Sequence, residues 1–139
     1  MGVGNDTLDG GDGLDSLDGD DGNDLIIATV DTSDDSYDGG LGTNSVDYSS
    51  FSADLVINIA TSAVLKSGVT WTDTLANIQN VTGGSGADSI VGSSDANTIL
   101  GGLGDDTLEG GAGNDTLDGG ADNDTTSIVT GKQIGRAHV

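Results

Sequence analysis

A large apolar residue recurs every nine positions towards both ends of the chain. Ile90, Ile99, Leu108 and Leu117 keep this spacing in the second half, and Leu8, Leu17 and Ile26 in the first. Polar residues flank most of them, as Thr107 and Glu109 flank Leu108. An apolar residue between two polar ones predicts a very short strand whose middle side chain points inward while its neighbours point out. The six residues between such triplets are rich in Gly and Asp. They read as a turn, in which Gly permits positive φ and close backbone approach. From Gly83 to Ser127 the chain is five such units in unbroken register: GGSGADSIV, GSSDANTIL, GGLGDDTLE, GGAGNDTLD and GGADNDTTS. The template is G-G-x-G-x-D-x-U-x, with U large and apolar. Gly101, Gly102, Gly104, Asp106 and Leu108 fill every fixed position, as do Gly110, Gly111, Gly113, Asp115 and Leu117. A fixed period predicts a repeat architecture. Two units make one coil, with a strand and a turn on each side, and coils stack in parallel about 4.8 Å apart.

Stacking makes neighbours of turns eighteen residues apart. Asp88 then meets Asp106, Asn97 meets Asp115, Asp106 meets Asp124, and Asp6 meets Asp24, with Asp15 on the opposite side. Carboxylates this close repel unless a cation lies between them. Carboxylates together with backbone carbonyls form a hard oxygen set that suits Ca2+, which takes about 6–8 oxygens. Mg2+ is disfavoured by its need for near-ideal octahedral geometry, and Zn2+ by the absence of Cys and of a usable His. The expected metal-binding side chains are Asp6, Asp15, Asp24, Asp88, Asp106, Asp115 and Asp124. The expected carbonyl donors are those of Gly84, Gly86, Gly102, Gly104, Gly111 and Gly113. Several ions would be bound.

These units resemble the RTX, or hemolysin-type calcium-binding repeat, family. The resemblance implies an all-β fold, a right-handed parallel β-roll or β-solenoid, with Ca2+ held between successive turns. It also implies export by a type I secretion machine. The departures are local. GSSDAN has Asn97 in place of Asp and lacks the second and fourth glycines, and Asp122 and Thr126 break the last unit, which is expected to fray.

Composition sharpens this picture. The net charge is −21, from 24 acidic residues against three basic, and every acid but Glu109 is Asp. Asp favours turns over helices. So negative a chain is a poor partner for nucleic acid or an anionic membrane. With one Phe, one Trp and two Tyr, a conventional aromatic core is out of reach, and without metal the chain approaches a disordered polyelectrolyte. No apolar run nears the ~20 residues of a membrane span. No nucleophile–His–acid set can be assembled, so no enzymatic activity is expected of this chain. The sequons at Asn5, Asn114 and Asn123 follow from the repeat itself.

Read in order, residues 1–47 form a first repeat block, MGVGNDTLD, GGDGLDSLD and GDDGNDLII, then a register break at about 28–38, then GGLGTNSVD with Asn44 for Asp. The break leaves open whether Asp34 or Asp35 partners Asp15. Residues 48–82 are a spacer. Leu55, Ile57 and Ile59 alternate as in a strand, Ala63–Leu65 and Val69–Trp71 suggest two more, and DTLANIQNV leads into the second block, 83–127. In similar proteins that lead-in carries Glu where Gln79 stands. The spacer is read as broader, metal-free coils, with Trp71 in the core and Lys66 a solvated charge. Residues 128–139 form a tail, and 134–139, IGRAHV, resemble a translated sequencing adapter, so that His138 and Arg136 carry no function. There is no secretory signal, and both ends read as cut from a longer protein. The expected function is that of a structural calcium module in a secreted, extracellular or surface protein. The rivals are the calcium module of an exported protease, lipase or polyuronate epimerase, and a segment of an adhesin or surface layer.

Overall fold

The computed structural model of the chain describes residues 2–66, 71–127 and 134–136. They contain strands and turns and no helix. The first repeat block supplies β1 (Thr7–Asp9), β2 (Ser16–Asp18), β3 (Leu25–Ile27), β4 (Ser36–Asp38) and β5 (Ser45–Asp47). The spacer supplies β6 (Leu55–Asn58), β7 (Ala63–Lys66), β8 (Thr72–Ala76) and β9 (Asn80–Thr82). The second block supplies β10 (Ser89–Val91), β11 (Thr98–Gly102), β12 (Thr107–Glu109), β13 (Thr116–Gly120) and β14 (Thr125–Ser127), and β15 (Ile134–Arg136) follows.

Successive repeat strands alternate between two sheets. One runs β1-β3-β5-β9-β11-β13-β15 and is parallel throughout. The other runs β2-β4-β8-β7-β6-β10-β12-β14. The protein is therefore a parallel β-solenoid, and the eighteen-residue register holds in both blocks: Leu8 lies beside Ile26, Ile90 beside Leu108, Ile99 beside Leu117. The U residues face inward. Leu8, Ile26, Val46, Val81, Ile90, Ile99, Leu108 and Leu117 are buried, while the strand residues beside them are mostly exposed or half-buried. The last unit keeps its register, with Thr125 beside Thr107, despite Thr126 and Asp122.

The spacer departs from the expectation of broader coils. Its β6, β7 and β8 form an antiparallel meander inside the second sheet, between β4 and β10. One crossing of that sheet is thus replaced by three, while β5 and β9 stay adjacent in the first sheet. The added width is filled by the four aromatic residues, all buried: Tyr37, Tyr48, Phe51 and Trp71. Phe51 packs edge-on to Tyr48 at 5.3 Å and against Trp71 at 6.1 Å between ring centroids. A compact aromatic core therefore exists, concentrated at mid-chain rather than spread along it. Trp71 sits within it, as expected. Val69 and the Lys66 side chain lie outside the described residues. The tail continues the first sheet through β15, and His138 lies outside the described residues.

Candidate metal centre

The sixth residue of each unit lies where the turn meets the strand, and stacking fixes its side chain against the previous coil. One oxygen, Oδ1, accepts the backbone N–H of the acid one coil earlier. Asp24 accepts from Asp6 at 2.8 Å, Asp106 from Asp88 at 2.8 Å, Asp115 from Asn97 at 3.0 Å and Asp124 from Asp106 at 3.1 Å. Asp35 accepts from Asp15 at 2.9 Å, twenty residues on, so the partner of Asp15 is Asp35 and not Asp34. The inserted residues bulge without changing the ladder.

The other oxygen, Oδ2, is buried and has no hydrogen-bond partner at Asp15, Asp24, Asp106, Asp115 and Asp124. A carboxylate oxygen withdrawn from water without a partner costs several kcal/mol, of order ~2–7 for a neutral polar group and more when charged. Burial, reinforced by the like charges of Asp88, Asp124 and Asp105, pushes the Asp106 carboxyl up to about 6. Burial raises Asp88 also.

The glycines shape the surroundings of that oxygen. A Cβ on Gly101 would meet the Asp106 carboxylate and the Gly119 carbonyl. Gly102 and Gly104 adopt φ of 113° and 105°, and a Cβ there would fall on the carbonyls of Gly84 and Gly86. Turns of this positive-φ kind direct the second-position N–H outward. It is taken by the acid two residues before: Gly11 donates to Asp9, Asp20 to Asp18, Gly40 to Asp38 and Gly120 to Asp118, at 2.9–3.2 Å. The second-position carbonyl faces the other way. In the unit with Asn44 the Gly40 carbonyl lies 3.5 Å from the side-chain amide. With Asp at that position two oxygens confront each other, and a cation is the complement that both accept.

The units 83–91 and 92–100 are built differently. Gly84, Ser93 and Asp95 lack positive φ, and the second-position N–H turns inward. Gly84 donates to Asp88 Oδ2 and Ser93 to Asn97 Oδ1, each at 2.8 Å. The Gly84 and Gly102 carbonyls also accept ladder bonds from Leu103 and Ala121, which leaves each one further lone pair. Among the described residues no three His, Cys, Asp or Glu side chains converge on one point. The oxygens of each candidate centre therefore come mainly from the backbone, with one or two carboxylates.

The profile of the RTX calcium-binding nonapeptide repeat (four copies) matches residues 2–33, 79–108 and 91–126, together more than half of the chain. The chain belongs to the RTX calcium-binding repeat family. No curated protein matches it. These RTX repeats form a calcium-binding β-roll module, and every buried unpartnered carboxylate oxygen falls within the matched spans. No helix among the described residues is long and apolar enough to cross a membrane.

Five residues outside the expected set also belong to the RTX ladder. Asp35 donates its N–H to Asp73 Oδ1 at 3.1 Å, Tyr37 and Tyr48 donate hydroxyls to Asp35 and Asp73, and Gln79 Oε1 accepts from the Asn44 N–H at 2.8 Å. Asp73-x-Leu75 repeats the D-x-U signature of Asp6-x-Leu8, and that signature could have placed Asp73; Asp35-x-Tyr37 carries it too, but the insertion beside Asp34 left its pairing open. Nothing local marks Tyr48 or Gln79.

Proposed function

We propose that this chain is a structural calcium module of a larger secreted protein, unfolded in part during export by a type I machine and closed by extracellular calcium. One observation carries the reading. The Asp Oδ2 atoms are buried without partners, in repeats of the turn that sets the Gly40 carbonyl beside the Asn44 side chain, an arrangement that fits a hard cation. Asp6, Asp15, Asp24, Asp106, Asp115 and Asp124 would supply carboxylate oxygens. The carbonyls of Gly102, Gly104, Gly111 and Gly113, and of Gly84 and Gly86 below them, would supply the rest. Asp88 would contribute least, since both its oxygens already accept backbone N–H groups. The bound cation supplies charge compensation to acids that otherwise repel. Extracellular modules of this kind bind at about 10⁻⁴–10⁻³ M, which keeps them empty at cytosolic calcium. The secreted location and the exporter rest on the family resemblance. The chain itself is read as non-catalytic, because its acids are spaced by the repeat rather than paired in a pocket.

Calorimetric titration of the chelator-treated chain with calcium chloride tests this, with circular dichroism alongside. Several ions should bind in the sub-millimolar to millimolar range with a gain of β signal. A titration without binding heat or spectral change would sink the reading.

A further inference from the structure

We propose that calcium enters this chain as two separate blocks, on either side of a central clasp that closes without any cation. The proposal rests on the calcium reading above and concerns which coils need the ion. The deciding feature is the second side-chain atom of the sixth-position residue.

In the flanks that atom is orphaned: Oδ2 of Asp15 and Asp24 on one side, and of Asp106, Asp115 and Asp124 on the other. In the coils between, every equivalent atom has a partner within the chain. Asp35 Oδ2 accepts the Tyr37 hydroxyl at 2.9 Å and Asp73 Oδ2 the Tyr48 hydroxyl at 3.2 Å. Asp88 Oδ2 accepts the Gly84 N–H. Asn44 and Asn97 replace the oxygen by an amide nitrogen. Asn44 Nδ2 donates to the Asn77 carbonyl at 3.0 Å, and Asn97 Nδ2 to the Gln79 carbonyl at 2.8 Å. Asn at this position still keeps the ladder, since Asn44 Oδ1 accepts the Asp24 N–H at 2.9 Å. It also carries its own N–H donors, and at Asn44 the Gly40 carbonyl lies within 3.5 Å of them. Gln79 continues the same neutral seam.

The apolar packing divides in the same way. The aromatic cluster and the inward residues of the meander, Leu55, Ile57, Val64 and Leu75, lie in the centre, whereas each flanking unit buries about one apolar side chain. Coils of a solenoid are stabilised mainly by their neighbours. A centre that is closed in both polar and apolar terms can therefore stand while the flanks open, and each flank folds onto it as calcium arrives.

Hydrogen exchange on the full chain, read by mass spectrometry in EDTA and in millimolar calcium chloride, tests the division. In EDTA, peptides from β5, β6 and β8–β10 should exchange slowly while those from β1–β3 and β12–β14 exchange fast. Calcium should bring the flanks to the protection of the centre. Fast exchange along the whole chain in EDTA, with calcium uptake intact by calorimetry, would overturn the clasp and leave the calcium reading standing. Absence of calcium uptake would remove that reading and the proposal with it. Two variants probe the centre directly. Tyr48→Phe should lose the central protection in EDTA without changing the number of ions bound. Asn44→Asp should make β5 and β9 calcium-dependent and add one bound ion, since Gly40 and Gly42 keep the positive φ of the flanking units and the Gly40 carbonyl lies beside the side chain. Unchanged EDTA protection in Tyr48→Phe, or unchanged uptake and protection in Asn44→Asp, would overturn the proposal.

Discussion

At the scale of the residue, the two oxygens of one carboxylate do different work. Asp106 Oδ1 holds the Asp88 N–H, and its Oδ2, buried without a partner, is the oxygen proposed to take the cation. Asp106→Asn should therefore keep the ladder and lose calcium. Asp106→Ala should lose both, because a buried N–H without an acceptor costs about 1–3 kcal/mol. Calcium titration together with thermal melts in EDTA separates the two variants, and equal melting points would contradict this division of labour. Asp115→Ala should cost less than Asp106→Ala. Each side chain caps one backbone N–H, that of Asp88 or of Asn97, but Asp106 has an acid one coil away on both sides, Asp88 and Asp124, where Asp115 has the neutral Asn97. Asp73 offers a pH readout away from the proposed ligands. Burial, aided by the charge of Asp35, raises its carboxyl to about 6 from 3.8. The folded state then holds the proton more tightly than the unfolded state. Stability in EDTA should rise as pH falls from about 6 to about 4, by on the order of 1–3 kcal/mol. Asp73→Asn should flatten that slope in a pH series of urea melts. An unchanged slope would place the titration elsewhere.

At the scale of the element, the unit is a turn that cannot be bent another way. Gly102 combines positive φ with a neighbour under its missing Cβ, the Gly84 carbonyl, whereas Gly11 has positive φ and open space. Gly11→Ala should cost about 1–2 kcal/mol from the left-handed conformation alone. Gly102→Ala should cost clearly more, since the neighbouring coil must also move. Chemical denaturation in calcium, where all coils are closed, compares them, and equal midpoints would show that coil spacing is softer than the stacking implies. The acid at the ninth position belongs to the same device. By accepting the second-position N–H, Asp118 helps hold its turn in the form whose carbonyl faces inward. Units preceded by Thr82 and Val91 have no such acceptor, and their N–H groups turn inward instead.

At the scale of the whole molecule, a net charge of −21 opposes compaction. Chelation should enlarge the chain in small-angle scattering, and about 1 M sodium chloride in EDTA should restore little of the compact size. Salt at that strength screens beyond ~3 Å, but it does not fill an oxygen-lined turn. Full compaction by salt alone would mean that repulsion, and not the orphaned oxygens, opens the flanks. The local parts of this architecture were set by the sequence. The nine-residue period fixed the strand centres from Leu8 to Ile26 and from Ile90 to Leu117, the eighteen-residue register within each of those runs, and the acids that line each edge, because a period of that kind repeats one backbone geometry wherever it occurs. Tertiary structure decided what the period does not encode. The insertion at 28–38 let either Asp34 or Asp35 serve, and only stacking on Asp15 selected Asp35. The spacer alternates like any strand, so its antiparallel path became visible only where β8 found β4 and β6 found β10. The partition of the acids was equally hidden. Asp35 and Asp106 are the same residue in the same template position, yet Oδ2 of one accepts a tyrosine hydroxyl and Oδ2 of the other meets no donor. A hydrogen-bond partner is a matter of position in space, and for Asp73 that partner, Tyr48, comes from a strand end twenty-five residues away.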